Sequence, residues 1–284
     1  LAAIGEAVVE KSGVLNLGVE GMMITGAVIG FIIAVNTQIP IYGFICAAFA
    51  GALLSVIFAI LTQYMMSNQV ATGLGLTMVG LGLSALIGKP YEGIKSPTLT
   101  KLEIPILSDI PILGPMIFSH DAIVYFSIFV IASVAFIIKK TRIGLILRAV
   151  GENQDAAHAL GYKVIRIRFI AIMFGGATAG IGGAYISLAR VPQWTEGMTA
   201  GAGWIALALV VFASWKPWRV LVGAYLFGGI TVLQLNLQAI GVAIPVEILS
   251  MSPYLVTIVV LVGISLFGHQ TAPGSLARPF HASQ

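Results

Sequence analysis

The sequence predicts an all-α, polytopic transmembrane helical bundle of about eight membrane segments, some of them glycine-broken or re-entrant. Three observations predict it. Only 9% of the 284 residues are charged while 58% are apolar, and the mean hydropathy is +1.00. A soluble domain carries roughly a quarter charged residues, so this chain has too little charge to cover its own surface in water. Apolar runs recur at close to the ~20 residues that cross a bilayer. The basic residues gather at helix ends, as membrane orientation requires, so the net charge of +4 implies no nucleic-acid partner.

Leu1–Val9 has no basic leader region and no small-residue cleavage pattern, and is expected to be the tail of a truncated N-terminal helix. Gly13–Val35 follows (GVLNLGVEGMMITGAVIGFIIAV). Its second part is a plain spanning helix, but Gly13, Gly18 and Gly21 interrupt the first part, where Asn16 and Glu20 stand in apolar company. Backbone leaves helical geometry at membrane depth only when it is buried in protein or lines a wet cavity. Charge there costs at least ~2.5 kcal/mol and marks a candidate functional site. Asn16 and Glu20 therefore point to a broken helix. Glu10, Lys11 and Ser12 fit either that break or a short cytoplasmic turn, after which Glu20 would favour the helix dipole of the next segment.

Pro40 opens the span Ile41–Met66. Ser67–Gly88 begins with the polar cap Ser67-Asn68-Gln69 and carries Gly73, Gly75, Gly80 and Gly82, a density that suits close helix approach or a helix break. Gly88-Lys89 ends no phosphate-binding loop, because position 83 is Leu and Pro90 follows the lysine. Residues 89–120 form the longest extramembrane stretch, with the IPIL doublet at 104–107 and 110–113, and its prolines argue for an extended external loop. Asp121–Ile138 is a span with acid at its start and Lys139 and Lys140 at its end, both matched to the helix dipole. After the charged loop come a glycine-rich span over Phe169–Ala189 with a GxxxG at Gly176 and Gly180, then spans at Met198–Ser214 and Val220–Ala239. The turn Trp215-Lys216-Pro217-Trp218-Arg219 between the last two has the tryptophan-and-base composition of a membrane interface. A loop carrying Glu247, a last span Pro253–Phe267 and a polar tail, expected to be disordered, complete the chain. Residues 1–268 thus make one membrane domain and 269–284 a cytoplasmic tail. The lone Cys46 excludes an internal disulfide and reads as a small apolar residue.

Seven of the fifteen basic residues lie between Lys139 and Arg168. Placing that loop in the cytoplasm also places Lys216, Arg219 and Arg278 inside, and sends 190–197, 240–252 and 89–120 outside. Within the loop, NQDAAHALGY (Asn153–Tyr162) reads as a short helix with Asp155 near its start, a small-residue face at Ala156 and Ala157, and Gly161 as its stop. Such a helix can lie along the membrane surface and pack into a groove on a soluble partner, or simply be a solvated connector.

Glu152–Gly161, with its Ala-Ala pair and the glycine four residues on, resembles the coupling motif of ABC-importer permeases. GVLNLGVEGMM near the start, TRIGLILRAVGENQDAAHALG in the loop, and GMTAGAGWIALALVVFASWKPWRVLVGAYLFG at Gly197–Gly228 are similar to the nucleoside and simple-sugar branch of the ribose and branched-chain amino acid permease superfamily. The resemblance covers nearly the whole chain. It implies a bacterial inner-membrane, multi-pass transport subunit with no cofactor and no metal, and one further N-terminal helix. It implies as partners ABC ATPase subunits, a second permease subunit (identical or a paralogue), an external substrate-binding protein and membrane lipid. It assigns coupling to the ATPase to Glu152, Asp155, Ala156, Ala157, Leu160 and Gly161. Glycine-interrupted segments point to a midplane substrate site. Asn16, Glu20, Asn68, Gln69 and Thr72 are then candidates for hydrogen bonds to ribose or base, and Trp204 for stacking. Asn68 and Gln69 also suit helix capping, and Trp204 an interface or core position. A branched-chain amino acid permease is the near alternative, and a passive channel, which needs no coupling helix, the distant one. An intramembrane enzyme is excluded, since His120, His158, His269 and His281 and the aspartates fall in loops, at helix boundaries or in the tail.

Overall fold

The computed structural model describes residues 1–97, 99–103, 119–240 and 272–281, with scattered positions between 245 and 263. The expected last span, the loop around Glu247 and the IPIL doublet lie largely outside the described residues. Among the described residues the chain folds into ten α-helices and one short two-stranded sheet. They are α1 Ala2–Lys11, α2 Val19–Thr37, α3 Pro40–Ala59, α4 Gln69–Gly88, α5 Ala122–Lys140, α6 Arg142–Glu152, α7 Gln154–Ala159, α8 Val164–Tyr185, α9 Ala202–Phe212 and α10 Pro217–Ala239. A π-helical turn, Ile60–Tyr64, continues α3, and another, Ile186–Arg190, continues α8. Six of the described helices are long and apolar enough to cross a membrane.

α2 is the central element, packed against α3, α4 and α8 and buried on nearly every side. Glycine permits this crowding. A Cβ at Gly21 would stand 2.7 Å from the Cα of Thr77 on α4, and one at Gly180 would collide with the carbonyl of Ala47 on α3. The Gly176/Gly180 pair is thus the seam between α8 and α3, where close backbone approach replaces the missing hydrophobic drive between helices in lipid. The outward faces of α3, α4, α5 and α10 carry Phe49, Met78, Phe129 and Tyr225, all exposed, as suits contact with hydrocarbon.

Caps fix where the helices start. Asp121 accepts from the backbone of Ile123 and Val124 (3.0 and 3.1 Å), Thr141 from Gly144 (3.2 Å), and Asn153 from Ala156 (3.0 Å). The charged stretch is less of a loop than its composition suggests. Its first third is the amphipathic helix α6, and only then comes the short helix α7, stopped by Gly161 at φ +87.

The ends of the bundle are distinct. At one end lie the α6–α7 corner, Lys11–Gly13 and residues 272–280; a bond from Ser275 N to Gly151 O (2.8 Å) and one from Arg168 Nε to Ser12 O (3.0 Å) tie them together. At the other end β1 (Lys101–Glu103) pairs antiparallel with β2 (Ser119–Asp121), and bridges Glu92–Trp194 and Lys95–Gln193 join the segments before β1 and after α8. The basic loop and the 89–120 stretch therefore sit at opposite ends, as the charge pattern requires.

Two expectations are corrected. The apolar run Met198–Ser214 is not a full span: α9 has 11 residues, about 16 Å, roughly half the hydrocarbon thickness. Ala200 (φ 45) and Gly201 (φ 84) turn the backbone left-handed just before it, so an apolar run long enough to cross enters as a half-helix. The tail, expected to be disordered, is ordered over 272–281 and packed on the basic end, because Phe280 finds an apolar pocket there.

Candidate translocation site and coupling surface

The broken helix predicted at Asn16 and Glu20 is present. α1 stops at Lys11, residues 12–18 are non-helical and almost wholly buried, and α2 starts at Val19. Gly13 makes the first turn with φ +90. A buried stretch of this kind must satisfy its backbone donors by other means. Gln69 Oε1 accepts from Leu15 N (2.9 Å), Glu6 Oε1 from Asn16 N (3.2 Å), and the Asn16 side chain from Gly18 N (2.9 Å). Thr77 donates to the Leu17 carbonyl (3.1 Å). Asn16 is also within 3.5 Å of the Met22 sulfur and has no exposed surface. Gly26 abuts Gly180 near the middle of the Val164–Arg190 helix, which puts Glu20, less than two turns earlier, well inside the bundle.

Glu20 sits in the first turn of α2, and its carboxylate holds the start of α9. Oε1 accepts from Thr199 Oγ1 (2.6 Å) and Gly201 N (2.9 Å), and Oε2 accepts from Gly203 N (2.6 Å). These are the amides that a helix N-terminus leaves without partners, at the positive end of its dipole. The other end of α9 is tied in the same manner: Trp215, just past the helix, donates its indole N–H to Glu10 of α1, and both are buried. The half-helix α9 is thus fastened to the broken α1–α2 pair at each end by a carboxylate.

One face of α9, Ala202, Ile205, Ala206 and Leu209, lines a cavity of about 780 Å³ between α5, α8 and α10. That volume suits a small organic solute. Ser127, Tyr185, Arg190, Thr199, Thr231 and Gln234 supply polar atoms to an otherwise apolar wall. Tyr185 donates to Asp121 (2.8 Å), the residue that caps α5.

The sequence-selected residues are not all brought together. Asn16 and Gln69 hold the break itself and Glu20 lies just past it; Gln69 is buried, and among the described residues its amide nitrogen has no partner. Asn68 caps α4 through Ala71 N (3.0 Å), and Thr72 bonds Ser67 (2.8 Å) at the start of the same helix. Trp204 is 44% exposed and lies on the opposite side of α9 from the cavity-lining residues. Sequence reasoning missed Thr199 and the amides of Gly201 and Gly203, whose role depends on a helix start that polarity does not announce. It also took Trp215 for an interface residue with Trp218. Trp218 is 48% exposed, but Trp215 is buried.

On the basic end, α7 and the residues flanking it expose Glu152, Asp155, Ala156, Leu160 and Gly161 of the coupling set, with Leu160 76% exposed. Ala157 does not share that face: it is buried with Val150, Val164 and Phe280. Arg168, which composition classes with the orientation anchors, has no exposed surface. It donates to the carbonyls of Ser12 (3.0 Å) and Arg278 (3.2 Å).

A bundle of spanning helices with a half-helix at depth, a solute-sized cavity and an ordered platform at one end is the build of a membrane transport subunit. The chain belongs to the family described as "Branched-chain amino acid transport system / permease component", whose model matches residues 1–264. It is therefore a multi-pass permease of the cell membrane. It is 38% identical over 283 residues to a putative glucose ABC transporter permease protein of Haloferax volcanii, covering 92% of this chain and 86% of that one. It is 34% identical over 297 residues to a guanosine ABC transporter permease protein of Bacillus subtilis (99% and 92%), and 30% identical over 272 residues to a nucleoside ABC transporter permease protein of Lactococcus lactis (91% and 86%). No solved structure matches the chain.

Proposed function

We propose that the chain is the translocating subunit of an ATP-driven importer for a nucleoside or simple sugar. The observation that carries this reading is near full-length similarity, at 30 to 38% identity, to glucose, guanosine and nucleoside permeases. In this reading the basic end faces the cytoplasm, and ABC ATPase subunits dock on the exposed side of α7 and its flanks through Glu152, Asp155, Ala156, Leu160 and Gly161. Ala157 holds α7 against the body. A binding protein delivers solute at the opposite end, and a second permease subunit completes the path.

Asn16, Glu20 and Gln69 shape the path by fixing the break and the half-helix. Asn68, Thr72 and Trp204 stand at its margins. A nucleoside needs both an apolar wall for its base and hydroxyl partners for its ribose, and the cavity offers that mixture. Charge is absent from most of its lining, which disfavours a zwitterionic amino acid: a free ammonium and carboxylate desolvated there would need ionic partners.

The test is uptake of labelled guanosine, glucose and leucine into vesicles holding the complete transporter. ATP-dependent, saturable uptake of guanosine or glucose is expected. Uptake of leucine alone would replace the substrate class, and equal flux without ATP would make the protein a passive channel.

A further inference from the structure

The ordered tail contacts the α6–α7 corner directly and Arg168 of α8 beside the helix break. Ser275 is inserted at the α6–α7 corner: its amide donates to Gly151 O (2.8 Å) and its hydroxyl accepts from Gln154 N (3.1 Å). Gln154 returns a bond from its side chain to Pro279 O (3.0 Å). Phe280 is buried against Val150, Ala157 and Val164, with its ring edge-on to His158 at 5.2 Å between centroids. α7 has only six helical residues, too few to hold its own shape in water, so its position depends on these contacts.

From the tail the connection continues inward through Arg168. This side chain is completely buried on α8, and one guanidinium spans two carbonyls from distant parts of the chain: Arg278 O in the tail and Ser12 O where the helix breaks. Burying a guanidinium is expensive unless its hydrogen bonds are kept, and its Nη2 has no hydrogen-bond partner among the described residues, so the two bonds it does make carry the cost. The arrangement therefore resists separation of the tail from the break. Beyond Ser12 come Asn16, the start of α2, Glu20 and α9, the wall of the cavity.

We propose that residues 272–280 and Arg168 form a bridge that transmits displacement of α7 to the broken segment, with Arg168 as the positioning residue at its centre. The bridge rests on the reading of α7 as the ATPase-docking helix. Without it, α7 is a small element at the edge of the bundle. With it, a push on α7 moves Ser12 and the segment that fixes the half-helix.

The test uses the complete transporter in a Cys46→Ala background with Ser127→Cys as a reporter in the cavity. The rate of thiol labelling is read with and without ATP plus vanadate, beside ATP hydrolysis and co-purification of the ATPase. In the parent, trapping changes the labelling rate. In Arg168→Gln and in Phe280→Ala, hydrolysis and co-purification persist while that change shrinks about tenfold, the size of a typical coupling free energy. Arg168→Lys, which keeps the charge and can donate to both carbonyls, retains more of it. Phe280→Ala lies in the tail, away from the membrane core, and stands if Arg168→Gln does not fold. Parent-like switching in Phe280→Ala and a folded Arg168 variant overturns the bridge. Persistent ATPase binding in Leu160→Arg overturns the docking reading instead, and a parent that never switches overturns both.

Discussion

Replacing Glu20 by Gln separates a structural carboxylate from one that meets the transported solute. The carboxylate accepts three hydrogen bonds, from Thr199 Oγ1, Gly201 N and Gly203 N, all at the start of α9. Glutamine is nearly isosteric but has one acceptor and one donor. If its oxygen keeps Thr199 and Gly201, its NH₂ faces the N–H of Gly203; flipping the amide sets the NH₂ against the N–H of Gly201, while the Thr199 hydroxyl can turn to accept. One buried amide is left unmet at about 1–3 kcal/mol, and the surviving bonds lose their charge assistance at about 0.5–1 kcal/mol each. Loss of an anion from a buried helix N-terminus adds up to about 2 kcal/mol. The sum is about 2–7 kcal/mol, a substantial share of the ~5–15 kcal/mol that holds a typical protein folded.

The assay is thermal unfolding of the purified chain in detergent, followed by the fraction that remains monodisperse, with uptake measured beside it. Glu20→Gln is expected to lower the midpoint markedly, and Glu20→Asp to do so less, because it keeps the charge but falls one methylene short. Thr199→Val removes a single bond and costs about 1 kcal/mol. Added to Glu20→Gln it costs less than the sum, since both changes break one network. An unchanged midpoint with lost uptake would refute the clamp and return Glu20 to direct contact with solute.

Three further outcomes follow from the same geometry. Trp215→Phe removes the donor to buried Glu10 and is expected to cost about 1–3 kcal/mol in the same unfolding assay, while Trp218→Phe, at an exposed site, costs little. Gly180→Leu drives a side chain into the Ala47 carbonyl and should abolish recovery of folded protein, whereas Gly82→Leu, with open space around it, should not. Ala156→Arg, on the exposed side of α7, should weaken ATPase co-purification at an unchanged midpoint. Ala157→Asp buries a charge among Val150, Val164 and Phe280, so it should lower the midpoint before any docking is tested.

What the sequence made legible was what composition and periodicity control. Most of the described spans, the separation of the basic loop from the 89–120 stretch and the break near Asn16 follow from apolar length, from charge at the ends, and from glycine and polar residues where lipid tolerates neither. The helix over Gln154–Ala159 was legible because an acid near the start, Asp155, and a glycine stop, Gly161, are local signals. α9 was not. Its residues are apolar throughout, and nothing in their order says that Gly201 ends an approach and Ala202 begins a helix; that boundary is set from 180 residues away by Glu20. Long-range hydrogen bonds from side chain to backbone leave no period in a sequence.

Arg168 shows the same blindness from the other direction. Charge counting groups it with Arg142 and Lys163, because all lie near the basic end of a span, and the positive-inside rule needs no more from them. Orientation, however, is served equally well by a solvated arginine, and a solvated arginine can be replaced by lysine or moved a residue along without loss. A buried one that bridges Ser12 and Arg278 cannot. Its planar fork can meet carbonyls on separate segments at fixed angles, which an ammonium does less well. The same residue can therefore serve topology during insertion and mechanics afterwards. Only the second role makes its position along α8 matter, and it is that position which links the platform at α7 to the carboxylate-held half-helix at the cavity.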